Sequence, residues 1–263
     1  MAFSAQRQGE NTMLRKIITG LFLACTALPA AAFEIENMTP DQRSIFRAEI
    51  RDFLLENPEI LMESIGILEQ RRANQALQQE KRMLQENQSR IFNDGISWVA
   101  GNPDGDVTIV EFLDYRCGYC KRAHPDMVEL LNSDTGVKLI VKEFPILGEE
   151  SEIAARFAIA TMKLEGDEMY AKVHDALMTW NGPMNPGALA RIARSAGVAD
   201  QDAVLEMMNS EDVTAVIAEN RALAEALNIQ GTPSFIMGED FVRGFVNIDQ
   251  MRDIIEDIRA EQG

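Results

Sequence analysis

The sequence predicts an α/β fold: a central sheet with helices on both faces, interrupted by an all-helical insertion and preceded by a helical N-terminal stalk. Three observations carry that prediction. The β-branched apolar run Val107-Thr-Ile-Val-Glu-Phe-Leu113 is followed by Cys117-Gly-Tyr-Cys120 and a helical stretch, then by a second strand from Val137 to Phe144 that Pro145 ends. From Ser151 to Leu227 the apolar period is helical throughout, with Gly166, the 181–187 turn and Gly197 as breaks. Strand signals return only at Ser234–Met237 and Phe241–Val246, joined by a short Gly-Glu-Asp turn and followed by a last amphipathic helix that Asn247 and Gln250 cap.

Length and composition fit this frame. The chain has 263 residues, 46% hydrophobic and 25% charged, enough for one sizeable domain and an appendage. Its formal charge of −17 argues against nucleic-acid or anionic-membrane binding, which need basic clusters.

In chain order, Met13-Leu-Arg-Lys16, the apolar run Ile17–Leu28 and Ala30-Ala31-Ala32 read as a signal peptide over residues 1–32, with Met13 as an alternative start. The mature chain is expected to be exported, and no later run approaches the ~18 apolar residues that membrane insertion requires. Thr39-Pro-Asp-Gln42 reads as a capping box opening a helix that Asn57-Pro58 ends. Ile45, Phe46, Ile50, Phe53 and Leu54 line that helix, and Ile60, Leu61, Ile65 and Leu68 line the next. From Glu69 to Arg90 the helix turns polar and reads as an exposed rod. An apolar hairpin at the end of a polar rod must be covered by something; residues 40–68 could fold back onto the α/β domain, and another copy of the same segment is the expected cover. The domains predicted are therefore the signal peptide over 1–32, an N-terminal helical oligomerisation and stalk region over 33–93, and the α/β domain over 94–263, with its helical insertion at about 149–228.

The chemistry centres on the cysteines. Cys25 falls in the signal, so the mature chain keeps only Cys117 and Cys120. A thiol at the start of a helix faces unsatisfied amides and the positive end of the helix dipole, which favour thiolate. Cys117 is thus the expected nucleophile and Cys120 the resolving thiol. Two other readings stand beside it. The pair supplies two soft sulfurs to Cu(I), or with His124 three ligands to zinc that His174 or a carboxylate would complete. A structural disulfide is the third, although so short a loop restrains little chain entropy. His124 itself reads as a surface helix residue. A second motif, Gly231-Thr-Pro-Ser-Phe235, fits a tight turn with a cis X-Pro bond ahead of a strand.

Taken together, Gly101-Asn-Pro-Asp104, Val110-Glu-Phe-Leu-Asp-Tyr-Arg-Cys-Gly-Tyr-Cys120, the helical insertion and Gly231-Thr-Pro233 resemble a DsbA-type exported thiol-disulfide oxidoreductase over residues 96–263. The resemblance implies a thioredoxin fold with an inserted helical domain and periplasmic localisation. It implies Cys117 and Cys120 as the reactive dithiol, Thr232 and Pro233 as the cis-proline loop beside the sulfur, Glu111 as the buried acid, and no cofactor or bound metal. Gly118-Tyr119 stands where strongly oxidising members carry Pro-His, so a milder oxidant is expected. The stretch Phe46-Arg-Ala-Glu-Ile-Arg-Asp-Phe-Leu-Leu-Glu-Asn-Pro-Glu-Ile60 resembles more narrowly the suppressor-of-copper-sensitivity protein C (ScsC) family. That implies disulfide isomerisation on unfolded or misfolded exported proteins, a membrane redox partner and a homotrimer through residues 40–68. The alternatives are a dithiol oxidase, or a copper-tolerance protein holding Cu(I) on Cys117 and Cys120.

Overall fold

The computed structural model describes residues 35–262, so the signal-peptide reading of residues 1–32 lies outside them. The described chain forms two compact units, one ending at Leu68 and one beginning at Glu69. In the first, a 3-10 turn at Ile35–Asn37 precedes helix α1 (Pro40–Glu56). Its start is the expected capping box: the Thr39 amide donates to Gln42 Oε1 at 2.9 Å and the Gln42 amide to Thr39 Oγ1 at 3.3 Å. Asn57 closes the helix, its amide and its side chain both donating to Phe53 O. Helix α2 (Glu59–Glu86) then begins. No described residue up to Leu68 is buried, and Ile45 and Phe53 remain 63% and 53% exposed.

The second unit is built on a five-stranded sheet of β1 (Trp98–Gly101), β2 (Val107–Leu113), β3 (Val137–Glu143), β4 (Ser234–Met237) and β5 (Asp240–Arg243). The spatial order is β1-β3-β2-β4-β5; β2 and β3 are parallel and every other pairing is antiparallel. Helix α4 (Gly118–Ser133) makes the β2-to-β3 crossover, helices α5 to α9 form the insertion between β3 and β4, and helix α10 (Ile248–Gln262) closes the chain. The insertion runs α5 (Glu149–Glu165), α6 (Asp167–Thr179), α7 (Pro186–Ala196), α8 (Gln201–Met207) and α9 (Glu211–Ala226). Strand β5 stops three residues short of the predicted Val246. Gly244, at φ +88°, turns the chain away and gives its amide to Pro233 O at 3.0 Å instead of to the ladder. Asn247 and Gln250 cap α10 reciprocally, as their spacing predicts.

Side chains alternate across the sheet. Val107, Ile109 and Leu113 of β2, Val137, Leu139 and Val141 of β3, and Phe235 and Met237 of β4 pack beneath α4, α10 and the insertion. Val110, Phe112, Ile140 and Ile236 point the other way, into a smaller cluster that α9 reaches with Leu223 and Ala224.

That second cluster corrects the reading of residues 69–90 as an exposed rod. The helix is exposed through Gln79, but Leu84 is 6% exposed and Ile91, on α3 (Gln88–Phe92), is fully buried among Val110, Phe112 and Ile140. The second face of the sheet needs an apolar lid, and the end of the stalk supplies it. A charged anchor fastens the lid: Lys142, completely buried, donates to Arg90 O at 2.8 Å and to the Asp94 carboxylate. Among the described residues no helix is long and apolar enough to cross a membrane.

Candidate active site

Strand β2 ends at Leu113, and the four residues that follow form the turn that delivers Cys117. Asp114, 1% exposed, holds this turn: its carboxylate accepts from the amides of Arg116 at 2.7 Å, Ile146 at 2.8 Å and Leu147 at 3.0 Å, while its carbonyl accepts from Cys117 N at 3.0 Å. Cys117 stands at the N-cap of α4, with extended backbone, and Cys120 lies one turn in. Both are free thiols, Cys117 6% exposed and Cys120 fully buried.

The Thr232–Pro233 peptide is cis, as the motif predicts, and brings the loop before β4 against the nucleophile. As a thiol, Cys117 donates to Thr232 O at 3.1 Å. As a thiolate it is stabilised first by the Cys120 S–H, then by the Thr232 side chain and the amides of Cys120 and Tyr119. These outweigh burial and pull its pKa down to about 5. Cys120 moves the opposite way, because the same S–H bond, burial and the nearby Glu111 all favour its protonated form. The asymmetry gives one sulfur that attacks and one that waits.

Glu111, 4% exposed, points from β2 toward the cysteines' side of the sheet. Burial first, and the Cys117 charge second, push its carboxyl up to about 8, so it is protonated at neutral pH. Tyr119, between the cysteines, is 61% exposed. Gln230, Gly231, Thr232, Pro233, Arg243 and Gly244 line a cavity of about 280 Å³ beside the cis-proline loop. The geometry thus gathers Cys117, Cys120, Thr232, Pro233 and Glu111 in one place.

His124 is not the surface residue expected. It packs its ring 5.1 Å from that of His174 and bonds Asp175 Oδ1 through Nε2 at 3.0 Å, leaving its side chain 12% exposed. Nor does His174 join the cysteines: its Nδ1 faces the Tyr115 hydroxyl at 3.0 Å. Among the described residues no three His, Cys, Asp or Glu side chains are grouped to hold a metal.

The DSBA-like thioredoxin domain family matches residues 108–256. The chain belongs to that family. Residues 42–75 match the copper resistance protein ScsC N-terminal domain, which places the chain close to the ScsC proteins. A thioredoxin-like oxidoreductase from Silicibacter pomeroyi is 42% identical, with 67% of this chain and 99% of that one covered at a TM-score of 0.62. Proteus mirabilis ScsC in a transitional conformation is 27% identical over 85% of this chain and all of its own, at a TM-score of 0.63. Disulfide bond formation protein D of Bacillus subtilis is 25% identical over 169 residues, which cover 60% of this chain and 75% of that protein. A DsbA-type thiol-disulfide oxidoreductase carrying an ScsC-like N-terminal region is therefore what the fold, the dithiol and the relatives together describe.

Proposed function

We propose that the chain is a periplasmic disulfide isomerase of misfolded exported proteins, kept reduced by a membrane redox partner and assembled as a homotrimer through residues 40–68. The observation that carries the chemistry is the opposed behaviour of the two sulfurs beside the cis Thr232–Pro233 bond. The Cys117 thiolate attacks one sulfur of a substrate disulfide, breaks that S–S bond, and releases the other substrate sulfur as a thiolate. A different substrate thiolate then attacks the mixed disulfide, forming a new substrate disulfide and returning Cys117 with no net change in electrons. If no substrate thiol arrives, Cys120 loses its proton and attacks Cys117. This frees the substrate dithiol and leaves Cys117–Cys120 oxidised, for the redox partner to reduce. The Cys120 proton ends on the departing substrate sulfur, so the step balances with Glu111 remaining the protonated carboxyl that burial, the first cause of its raised value, makes it.

The uncovered apolar side chains of residues 35–68 support the assembly, and several thiolates around one space favour repeated attack over a single oxidation. Refolding of a scrambled disulfide substrate by the reduced protein tests the reading. Activity lost in Cys117→Ala supports it; oxidation of dithiol substrates without unscrambling, together with a cysteine pair found oxidised in cells, returns the protein to the dithiol oxidases.

A second reading is favoured by the match of residues 42–75 to a copper resistance domain. Cys117 and Cys120 form a two-sulfur pair of the kind Cu(I) accepts. Copper titration on the same preparation separates the two: tight 1:1 binding without exchange activity would replace isomerisation by sequestration.

A further inference from the structure

A buried polar cluster lies behind the nucleophile and has no part in the exchange steps above. Tyr115, two residues before Cys117, is 1% exposed. Its hydroxyl lies 3.0 Å from His174 Nδ1 and 3.3 Å from the Tyr170 hydroxyl, both on helix α6 of the insertion. Tyr170, fully buried, donates in turn to the Glu143 carboxylate at the end of β3. The His174 ring stacks on Tyr170 at 5.7 Å and sits 5.5 Å from Trp98. It also meets His124, which lies one turn beyond Cys120 on the active-site helix.

We infer that Tyr115, held by Tyr170, Glu143 and His174, is a positioning residue for the Cys117 thiolate, and that the helical insertion fixes the nucleophile's turn through these side chains. The inference deepens the reading of Cys117 as nucleophile and rests on it. The turn from Asp114 to Cys117 is clamped on two sides. On one, the Asp114 carboxylate holds the amides of Ile146 and Leu147. On the other, the Tyr115 hydroxyl is the grip, and it reaches into a buried layer where losing a partner leaves a polar group unsatisfied. The groups that stabilise the thiolate are directional donors, so they hold it only while the sulfur stays aimed at them. A side chain that fixes the turn therefore fixes the acidity of the sulfur.

The wall is suited to holding a position, since most of its members keep one protonation state. Burial, with His124 second, pushes His174 down to about 3, leaving a neutral ring. Burial first and Glu143 second raise Tyr115 and Tyr170 well above the ordinary phenol, so both remain donors. Glu143 is raised to about 7 by burial, against the Tyr170 bond and Lys142, while Asp94 pushes the same way as burial. The other contact at Glu143 is neutral, Asn220 Nδ2 donating to its backbone carbonyl at 3.1 Å.

The test is the pH profile of Cys117 alkylation in the reduced full-length protein, read by peptide mass, with melting temperature measured on every variant. The wild type is expected to show a midpoint near 5. Tyr170→Phe and Glu143→Ala should raise that midpoint by about one pH unit, a tenfold loss of thiolate acidity. Glu143, raised to about 7, is uncharged at that midpoint, so the shift reports the lost acceptor; Glu143→Gln, which keeps an acceptor for Tyr170, should return the midpoint to within ~0.3 unit of wild type. If Glu143→Ala fails to fold, Tyr170→Phe, which removes one oxygen, decides alone. Variants that melt lower but keep the wild-type midpoint would overturn the positioning role and leave the nucleophile standing. A wild-type midpoint near the ordinary ~8.5 would remove the nucleophile reading itself, and this inference with it.

Discussion

Residues 35–68 and residues 69–262 use apolar side chains at helical spacing in the same way, yet only the second region buries them. In the first, none of the described residues is buried, and Ile45, Phe46, Phe53, Leu61 and Ile65 stand between 37% and 63% exposed. In the second, Leu84 and Ile91 come from a more polar sequence and are lost to solvent against the sheet. Local pattern alone therefore does not decide burial; the presence of an apolar surface waiting to be covered does. Within residues 35–68 no apolar surface of their own covers that face, and a face of that kind is a demand for a partner.

Cutting the chain at two places sharpens this contrast most. A chain beginning at Glu69 should stay folded and become monomeric by light scattering. A chain beginning at Ile96 should lose most of its stability. It strips Leu84 and Ile91 from the sheet, at ~1.5–3 kcal/mol for each large side chain, and removes the partner of the buried Lys142. Equal urea midpoints for the two would show that the second face needs no lid. If the chain beginning at Glu69 and the intact protein have the same number of subunits in solution, the uncovered face of residues 35–68 serves something other than self-association.

The anchor itself gives the next effect. Asp94→Ala leaves the Lys142 ammonium buried against Arg90 O without the carboxylate it donates to, and should cost about 3–5 kcal/mol in urea unfolding. The double variant Asp94→Ala with Lys142→Met should recover most of that loss, because a well-packed apolar pair avoids both desolvation terms. No recovery would mean that the anchor specifies the geometry of the lid rather than only tolerating a buried charge.

The smallest effect is a pH signature in the second region. The Cys117 pKa is depressed to about 5 in the folded, reduced protein. Its contribution to stability is then fully present above the unfolded thiol's ~8.5 and is lost as pH falls through 5. Glu111 and Glu143, raised to about 8 and 7, have the opposite sign: their contribution is full below ~4.5 and is lost as pH rises through those values. Glu143 cancels between the oxidised and reduced forms, whereas Glu111, which feels the Cys117 charge, cancels only in part and lessens the difference without reversing the thiol's sign. Unfolding of the two forms should show the reduced protein gaining relative stability from pH 5 to 9, by at most ~1.4 kcal/mol per pH unit. A flat difference would place the thiolate's advantage elsewhere.

What the sequence made legible divides along the same line. Cys117 at a strand-to-helix junction, Thr232–Pro233 ahead of a strand, and the Thr39–Gln42 and Asn247–Gln250 caps are local chemistry, and all stand where their spacing puts them. The lid was hidden because Leu84 and Ile91 sit seven residues apart in a run of Gln, Glu, Lys and Arg, too sparse to form a stripe. Lys142 was hidden because a lysine in a strand reads as a solvent-facing position, while its partner Asp94 lies 48 residues earlier. The wall behind Cys117 was harder still. Tyr115, Glu143, Tyr170 and His174 come from three segments, and nothing in any one of them marks its side chain as buried.

Lys142 and Glu143 are neighbours in one strand that face opposite sides of the sheet, the first toward Asp94, the second toward Tyr170. Because strand side chains alternate, sliding β3 by a single residue would drive the ammonium into the tyrosine wall and the carboxyl against Asp94. Neither could find its complement. The adjacent opposite charges thus work as a keyed connector: the sheet closes in one register, and a mispaired strand announces itself at two faces at once.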